Sequence, residues 1–119
     1  GGGRWSSAAG REATLGLLAA DPRPTAVVSS SVELALGCMF ACRERGLLIP
    51  ADVALATFDD AYFAELLDPP LTAVGYDPVQ VGRTAATLLV DAMRDEPGGR
   101  QDLTVSVSLV KRRSCGCTA

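Results

Sequence analysis

The feature that most constrains this chain is a repeated change of hydrophobic period. Thr25-Ala26-Val27-Val28-Ser29, Val53 to Phe58 and Leu71 to Gly75 are short, nearly continuous apolar runs. That is the pattern of strands covered on both faces. Longer stretches with helical spacing separate them. Trp5 to Ala20 repeats apolar residues at Ala9, Ala13, Leu17 and Ala20 and stops at Asp21-Pro22-Arg23-Pro24. A second helix opens at Ser30-Ser31-Val32-Glu33, where a serine precedes a glutamate by three positions as in a capping box, and runs to Gly46. Its apolar residues cover more than one face, so it must bury a second side. Asp60 to Leu67 suits a brief helix that Asp60 would cap. Pro78 stands at the first position of a long helix ending near Arg94, with Val79, Gly82, Ala86, Leu89, Val90 and Met93 as its inward stripe. Asp95 to Arg100 is a Pro/Gly loop, and alternation from Val105 to Val110 predicts a final edge strand.

Strands alternating with helices imply an α/β fold with a doubly wound, mainly parallel sheet. With 119 residues, 48% of them hydrophobic, the chain can build one core but not two ordinary domains. In such sheets ligands bind beyond the carboxyl ends of the strands. Those ends carry Ser29-Ser30-Ser31, Asp59-Asp60 and Tyr76-Asp77, and Trp5 precedes the first helix at what is expected to be the same edge. A rim of hydroxyls, carboxylates and aromatic faces suits a neutral polyol such as a sugar, because a carboxylate can accept hydrogen bonds from two neighbouring hydroxyls. Of these residues, Asp59 is expected to contact the ligand more than to serve the fold, Ser30 to act as a cap, and Ser31 is balanced between the two roles. Trp5 and Tyr76 are open between ligand contact and core packing.

Several function classes are disfavoured. The net charge is −3, Lys111 is the single lysine, and the arginines are scattered, so the chain offers no grip for a nucleic-acid backbone. No apolar run approaches a membrane span, and the start has no leader-like pattern, so a cytoplasmic location is expected. No glycine-rich phosphate turn, histidine or nucleophile elbow is present, which leaves catalysis and cofactor binding without support. A metal-dependent enzyme built on the acidic pair would also need phosphate-binding elements that are missing. Cys38, Cys42, Cys115 and Cys117 lack zinc-type spacing. The first two read as buried apolar residues of the helix, and the last two as free thiols on a loose tail.

The ordered segments PTAVVSSSVELALG, GLLIPADVALATFDD, DPPLTAVGYDPVQVG and LVKRRSCG resemble the C-terminal half of lactose/galactose-repressor (LacI/GalR) type transcription regulators, from Trp5 to Cys115. The resemblance implies a periplasmic-binding-protein-like (type I) effector domain of two lobes with a small molecule between them, of which residues 1–119 are the C-terminal lobe. It places the DNA-binding headpiece and the N-terminal lobe outside this chain, so that operator DNA would be reached only through that headpiece and the chain alone would sense poorly. By the same resemblance Asp59, Ser31, Trp5 and Tyr76 are ligand-binding positions, and Leu36, Phe40, Phe63 and Leu67 are candidates for a homodimer interface. Ser31-Val32 stands where the family usually has Asn-Asp, and Thr57 where it usually has glycine, so a less hydroxylated or non-sugar effector stays open beside a sugar. The rival within the same fold is a sugar-binding protein of an uptake system.

Overall fold

A computed structural model describes residues 4–94 and 102–117. The predicted Asp95–Arg100 loop and the initial glycines lie outside the described residues. The elements run α1 (Ser7–Leu18), β1 (Ala26–Ser29), α2 (Val32–Glu44), β2 (Ala54–Phe58), a 3-10 turn (Ala64–Leu66), β3 (Thr72–Gly75), α3 (Pro78–Met93), β4 (Ser108–Val110) and a second 3-10 turn (Arg113–Cys115). They fall into two compact units, Gly1–Gly75 with Leu109–Ala119, and Tyr76–Ser108.

In the first unit the sheet order is β1-β2-β3-β4, with β1 parallel to β2 and β2 parallel to β3. The parallel α/β expectation therefore holds. Its core lies on one side of the sheet, where Ala35, Cys38 and Cys42 of α2 pack on Val53, Leu55, Ala64 and Leu71. Local chemistry sets the helix ends. Ser6 accepts from the Ala9 N–H at 3.2 Å to start α1. At the end of α2, Gly46 takes φ +68°, while Leu47 N–H reaches the Cys42 carbonyl and Gly46 N–H the Arg43 carbonyl. This Schellman arrangement explains why a glycine stands there.

The apolar count misjudged which face α1 buries. Gly10 and Thr14 are its buried residues, whereas Ala13, Leu17 and Ala20 are exposed and Ala9 is only half-buried. The reason is glycine contact between helices: a Cβ on Gly10 would strike the Leu34 backbone, and one on Gly37 would strike the backbones of Ser7 and Arg11. Main chains in direct contact decide the facing, and alanine spacing does not.

Other expectations also need correction. β1 is an edge strand covered on one face only, since Val27 packs on the core while Val28 is 69% exposed. At the end of β2, Phe58 is half-exposed on the same sheet face as Val28, although Leu55 and Thr57 are buried. The brief helix after Asp60 shrinks to the turn Ala64–Leu66, which has no side-chain cap. The last strand spans only Ser108–Val110, with Val107 exposed before it.

The second unit contains α3, which starts where its signals placed it: Asp77 accepts from Val79 and Gln80 N–H groups, and Pro78 follows. None of its residues is buried. Among the described residues its own unit holds no second helix, so the expected inward stripe finds no cover within that unit. Among the described residues no helix is long and apolar enough to cross a membrane.

Candidate functional site

The site is built at the carboxyl ends of β1 and β2. Parallel register sets Ser29 opposite Thr57. Both are buried, and their hydroxyl oxygens are 2.8 Å apart. The single Ser29 hydroxyl proton is directed either to Thr57 Oγ1 or, at 3.0 Å, to the Ser31 carbonyl, while Thr57 donates to the Phe58 carbonyl at 2.8 Å. Every buried hydroxyl here is satisfied, as a low-dielectric strand end requires. Thr57 thus ties the two strand ends together.

From this base the chain leaves β1 through Ser30 and enters α2 at Ser31. Ser31 is the N-cap, accepting from the Leu34 N–H at 3.4 Å, so the capping role assigned to Ser30 belongs to its neighbour. Ser31 remains half-buried. Beyond β2, Asp59 is the one non-glycine residue with positive φ among the described residues, at +67°. Aspartate tolerates the left-handed region better than most residues. A sharp turn at a strand exit directs the chain away from the sheet, and a left-handed residue there is a pointer to function.

Asp60 does not cap a helix. Arg112 Nη1 donates to its Oδ1 at 2.7 Å and Nη2 to its Oδ2 at 3.0 Å, and Nη1 also reaches the Leu71 carbonyl at 2.7 Å. The Asp60 hydrogen bond raises the Arg112 pKa above its ordinary value, which keeps the guanidinium charged. Next to it, Thr72 Oγ1 donates to the Arg112 carbonyl and accepts from the Arg112 N–H, both at 2.9 Å. Ser114, fully buried, donates to the Leu55 carbonyl at 2.6 Å and accepts from the Thr72 N–H at 2.8 Å. The segment Arg112 to Cys115 is therefore a clip across β2 and β3, not a loose tail. The sequence motif around Arg112 and Ser114 was visible, but its role was missed because its partners lie 40 to 59 residues away.

The structure brings Ser31 and Asp59 to the ends of two hydrogen-bonded strands. Trp5 stands in the turn ahead of α1 and is 66% exposed. Tyr76 follows β3 directly, is 44% exposed, and belongs to the second unit. Among the described residues no three of the His, Cys, Asp and Glu side chains gather as a metal centre would need.

A separate groove of about 710 Å³ is lined by Leu36, Met39 and Phe40 of α2 together with Leu67 and Pro69. The loop Leu47–Pro50 also lines it and is braced by Asp52, which accepts from the Leu48 N–H at 2.7 Å. Three of the four expected interface residues, Leu36, Phe40 and Leu67, line this groove. Phe63 instead meets Tyr62 edge-on, with ring centroids 5.3 Å apart.

Comparison with known proteins agrees with this fold. Residues 2–115 match the periplasmic binding protein-like domain. The repressor MelR of Bacillus subtilis (strain 168) is 37% identical over 99 residues, which cover 81% of this chain and 28% of that protein. The chain therefore spans about a third or less of the length of such relatives, which are transcriptional repressors and not enzymes. A crystal structure of the lac repressor dimer bound to operator and the anti-inducer ONPF superposes with a TM-score of 0.82 at 31% identity, covering 92% of this chain and 38% of that one. A LacI family regulator from Arthrobacter sp. FB24, solved in complex with lactose, gives a TM-score of 0.78 at 28% identity, covering 92% and 41%. This chain belongs to the periplasmic binding protein-like domain family, in the branch that forms the effector-binding domains of LacI/GalR-type regulators.

Proposed function

We propose that residues 1–119 are the C-terminal lobe of the effector-binding domain of a bacterial LacI/GalR-type transcriptional repressor, acting in the cytoplasm and sensing a small polar molecule, a sugar by preference. The observation that carries this reading is Asp59, which leaves β2 in a left-handed turn beside the capped end of β1. In this reading its carboxylate accepts from ligand hydroxyls, Ser31 adds a hydroxyl, and Trp5 and Tyr76 supply apolar faces for the ring. The lactose complex of the Arthrobacter relative supports the choice of a sugar. Because a hydroxyl and an apolar isopropyl group stand at Ser31-Val32 where the resemblance places an amide and a carboxylate, the ligand in this reading presents fewer donors to this edge.

The groove along α2 serves in this reading as the surface that meets a second copy, with Phe40, 55% exposed, and Leu48, 66% exposed, as its prominent apolar side chains. Ligand binding alters the geometry of that dimer and so the placement of DNA-binding headpieces carried elsewhere in the regulator, a coupling between two sites through a two-state element. The dimeric, operator-bound lac repressor structure supports this arrangement.

The test is calorimetric titration of the intact regulator with a sugar panel beginning with lactose, comparing Asp59→Asn with the parent. The expected result is a measurable affinity that falls by about 10- to 100-fold in the variant, as for loss of one or more charge-assisted hydrogen bonds. Undiminished affinity would remove Asp59 from the site.

A further inference from the structure

Beneath the rim, two buried hydroxyls end on the peptide that presents Asp59. Thr57 Oγ1 lies 2.8 Å from the Phe58 carbonyl and 3.5 Å from the Ser29 carbonyl, so the Phe58 carbonyl takes its proton. With that proton spent, the 2.8 Å contact between the two hydroxyls is a hydrogen bond only when Ser29 donates and Thr57 accepts. Donation then runs from Ser29 through Thr57 to Phe58. The Ser31 carbonyl, the other acceptor within reach of Ser29, already takes the Ala35 N–H at 3.1 Å.

The Phe58 carbonyl shares a peptide plane with the Asp59 nitrogen, so fixing that oxygen fixes one side of the Asp59 φ torsion. The next residue fixes the other side. Arg112 holds both carboxylate oxygens of Asp60, at 2.7 and 3.0 Å, and takes the Leu71 carbonyl with the same guanidinium. Asp59, at φ +67°, stands between these two anchors. A non-glycine residue persists in the left-handed region only where its surroundings over-determine it, and here one anchor lies on each side. Thr57 stands where the resemblance to LacI/GalR-type regulators places a glycine, which has no side chain to reach the carbonyl.

We infer that Thr57 is a positioning residue for effector binding: its hydroxyl, backed by Ser29, sets the backbone at Asp59 in advance, so that the carboxylate meets ligand hydroxyls already ordered. This inference rests on the reading of Asp59 as the hydroxyl acceptor. A residue fixed before binding spares the complex the cost of fixing it, which for the backbone of one residue is worth about 5- to 30-fold in affinity. The hydroxyl can be removed without stranding a buried donor. In Thr57→Val the Ser29 proton turns to the Ser31 carbonyl, 3.0 Å away, and the valine keeps the branched shape at the strand end.

The test compares the intact regulator with Thr57→Val, Thr57→Ser and Asp59→Asn, by calorimetric titration with the sugar panel beginning with lactose and by 15N relaxation of aspartate-labelled protein. Thr57→Val should bind about 5- to 30-fold more weakly and show a more mobile Asp59 amide, while Thr57→Ser, which keeps the hydroxyl, should restore both. Cys38→Ala, which loosens the buried core away from the rim, is the control for general destabilisation and should keep the parent's affinity. Parent-like affinity in Thr57→Val beside a loss in Asp59→Asn overturns the positioning role and leaves the sugar reading standing. Parent-like affinity in Asp59→Asn, or a parent that binds none of the panel, overturns the reading of Asp59 as acceptor; an Asp59 amide as rigid in Thr57→Val as in the parent overturns the positioning role whatever the ligand.

Discussion

Arg112 holds Asp60 with both prongs of its guanidinium, at 2.7 and 3.0 Å, while one prong also takes the Leu71 carbonyl. One side chain from the C-terminal clip thereby joins the exit of β2 to the entrance of β3. The pair is mostly shielded, with side-chain exposures of 16% and 21%. Its loss therefore costs more than a surface pair and less than a fully buried one. Arg112→Ala should lower unfolding free energy by about 2–3 kcal/mol. Arg112→Lys should recover only part of that, since an ammonium cannot bridge both carboxylate oxygens. Urea denaturation of the two variants measures the difference.

The contact between α1 and α2 depends on the absence of two Cβ atoms. Gly10→Ala or Gly37→Ala should each cost about 1–3 kcal/mol, because the added methyl meets rigid backbone that must shift. Gly82→Ala is the control: it lies within α3, nothing stands within 4 Å of its Cβ position, and helix propensity should make it neutral or stabilising by up to about 1 kcal/mol. Thermal unfolding of the three variants should order them this way.

Asp59 offers a way to separate fold from ligand binding. With φ at +67°, Asp59→Gly removes any left-handed penalty and should leave stability unchanged or raise it by up to about 1 kcal/mol. The same variant should lose sugar affinity by about 10- to 100-fold if the carboxylate is the hydroxyl acceptor. A calorimetric titration and a melting curve on one sample report both quantities.

A charge placed in the α2 groove should disrupt self-association. Phe40 lines that groove and is more than half exposed, so Phe40→Glu introduces an ionised group with little cost to the folded chain. Sedimentation of the intact regulator should show the variant dissociating at concentrations where the parent remains dimeric, by at least about tenfold in the dimer constant. An unchanged dimer constant would place the interface elsewhere.

Cys42 gives the fold a weakness at alkaline pH. Burial, followed by the neighbouring Cys38, pushes its thiol up to about 12 from an ordinary value of 9.0. Between those values the unfolded chain releases the proton and the folded chain keeps it. Its contribution to stability is therefore complete below about pH 9 and is lost as pH rises towards 12. The expected slope is about 1.4 kcal/mol per pH unit for a single such thiol. Cys42→Ala should be less stable at neutral pH, through lost packing, yet show a shallower decline across this range in denaturant titrations.

Much of the architecture follows from residues close together in the chain. Alternating period gave the order of strands and helices, Gly46 marked the end of α2, and Pro78 marked the start of α3. A cap or a helical turn draws on partners within four or five positions, so sequence alone determines it. Position at a strand end also singled out Asp59 and Ser31, because parallel α/β topology sends its strand ends to one edge. Tertiary structure decided the rest. Which face of α1 is buried depends on Gly37 arriving opposite Gly10, and the role of Thr57 depends on register with Ser29, 28 residues earlier. Asp60 finds Arg112 only after the chain has travelled 52 residues and returned along the sheet. Such pairings are set by which strands become neighbours and in what register, and no local pattern of charge or hydrophobicity records that choice.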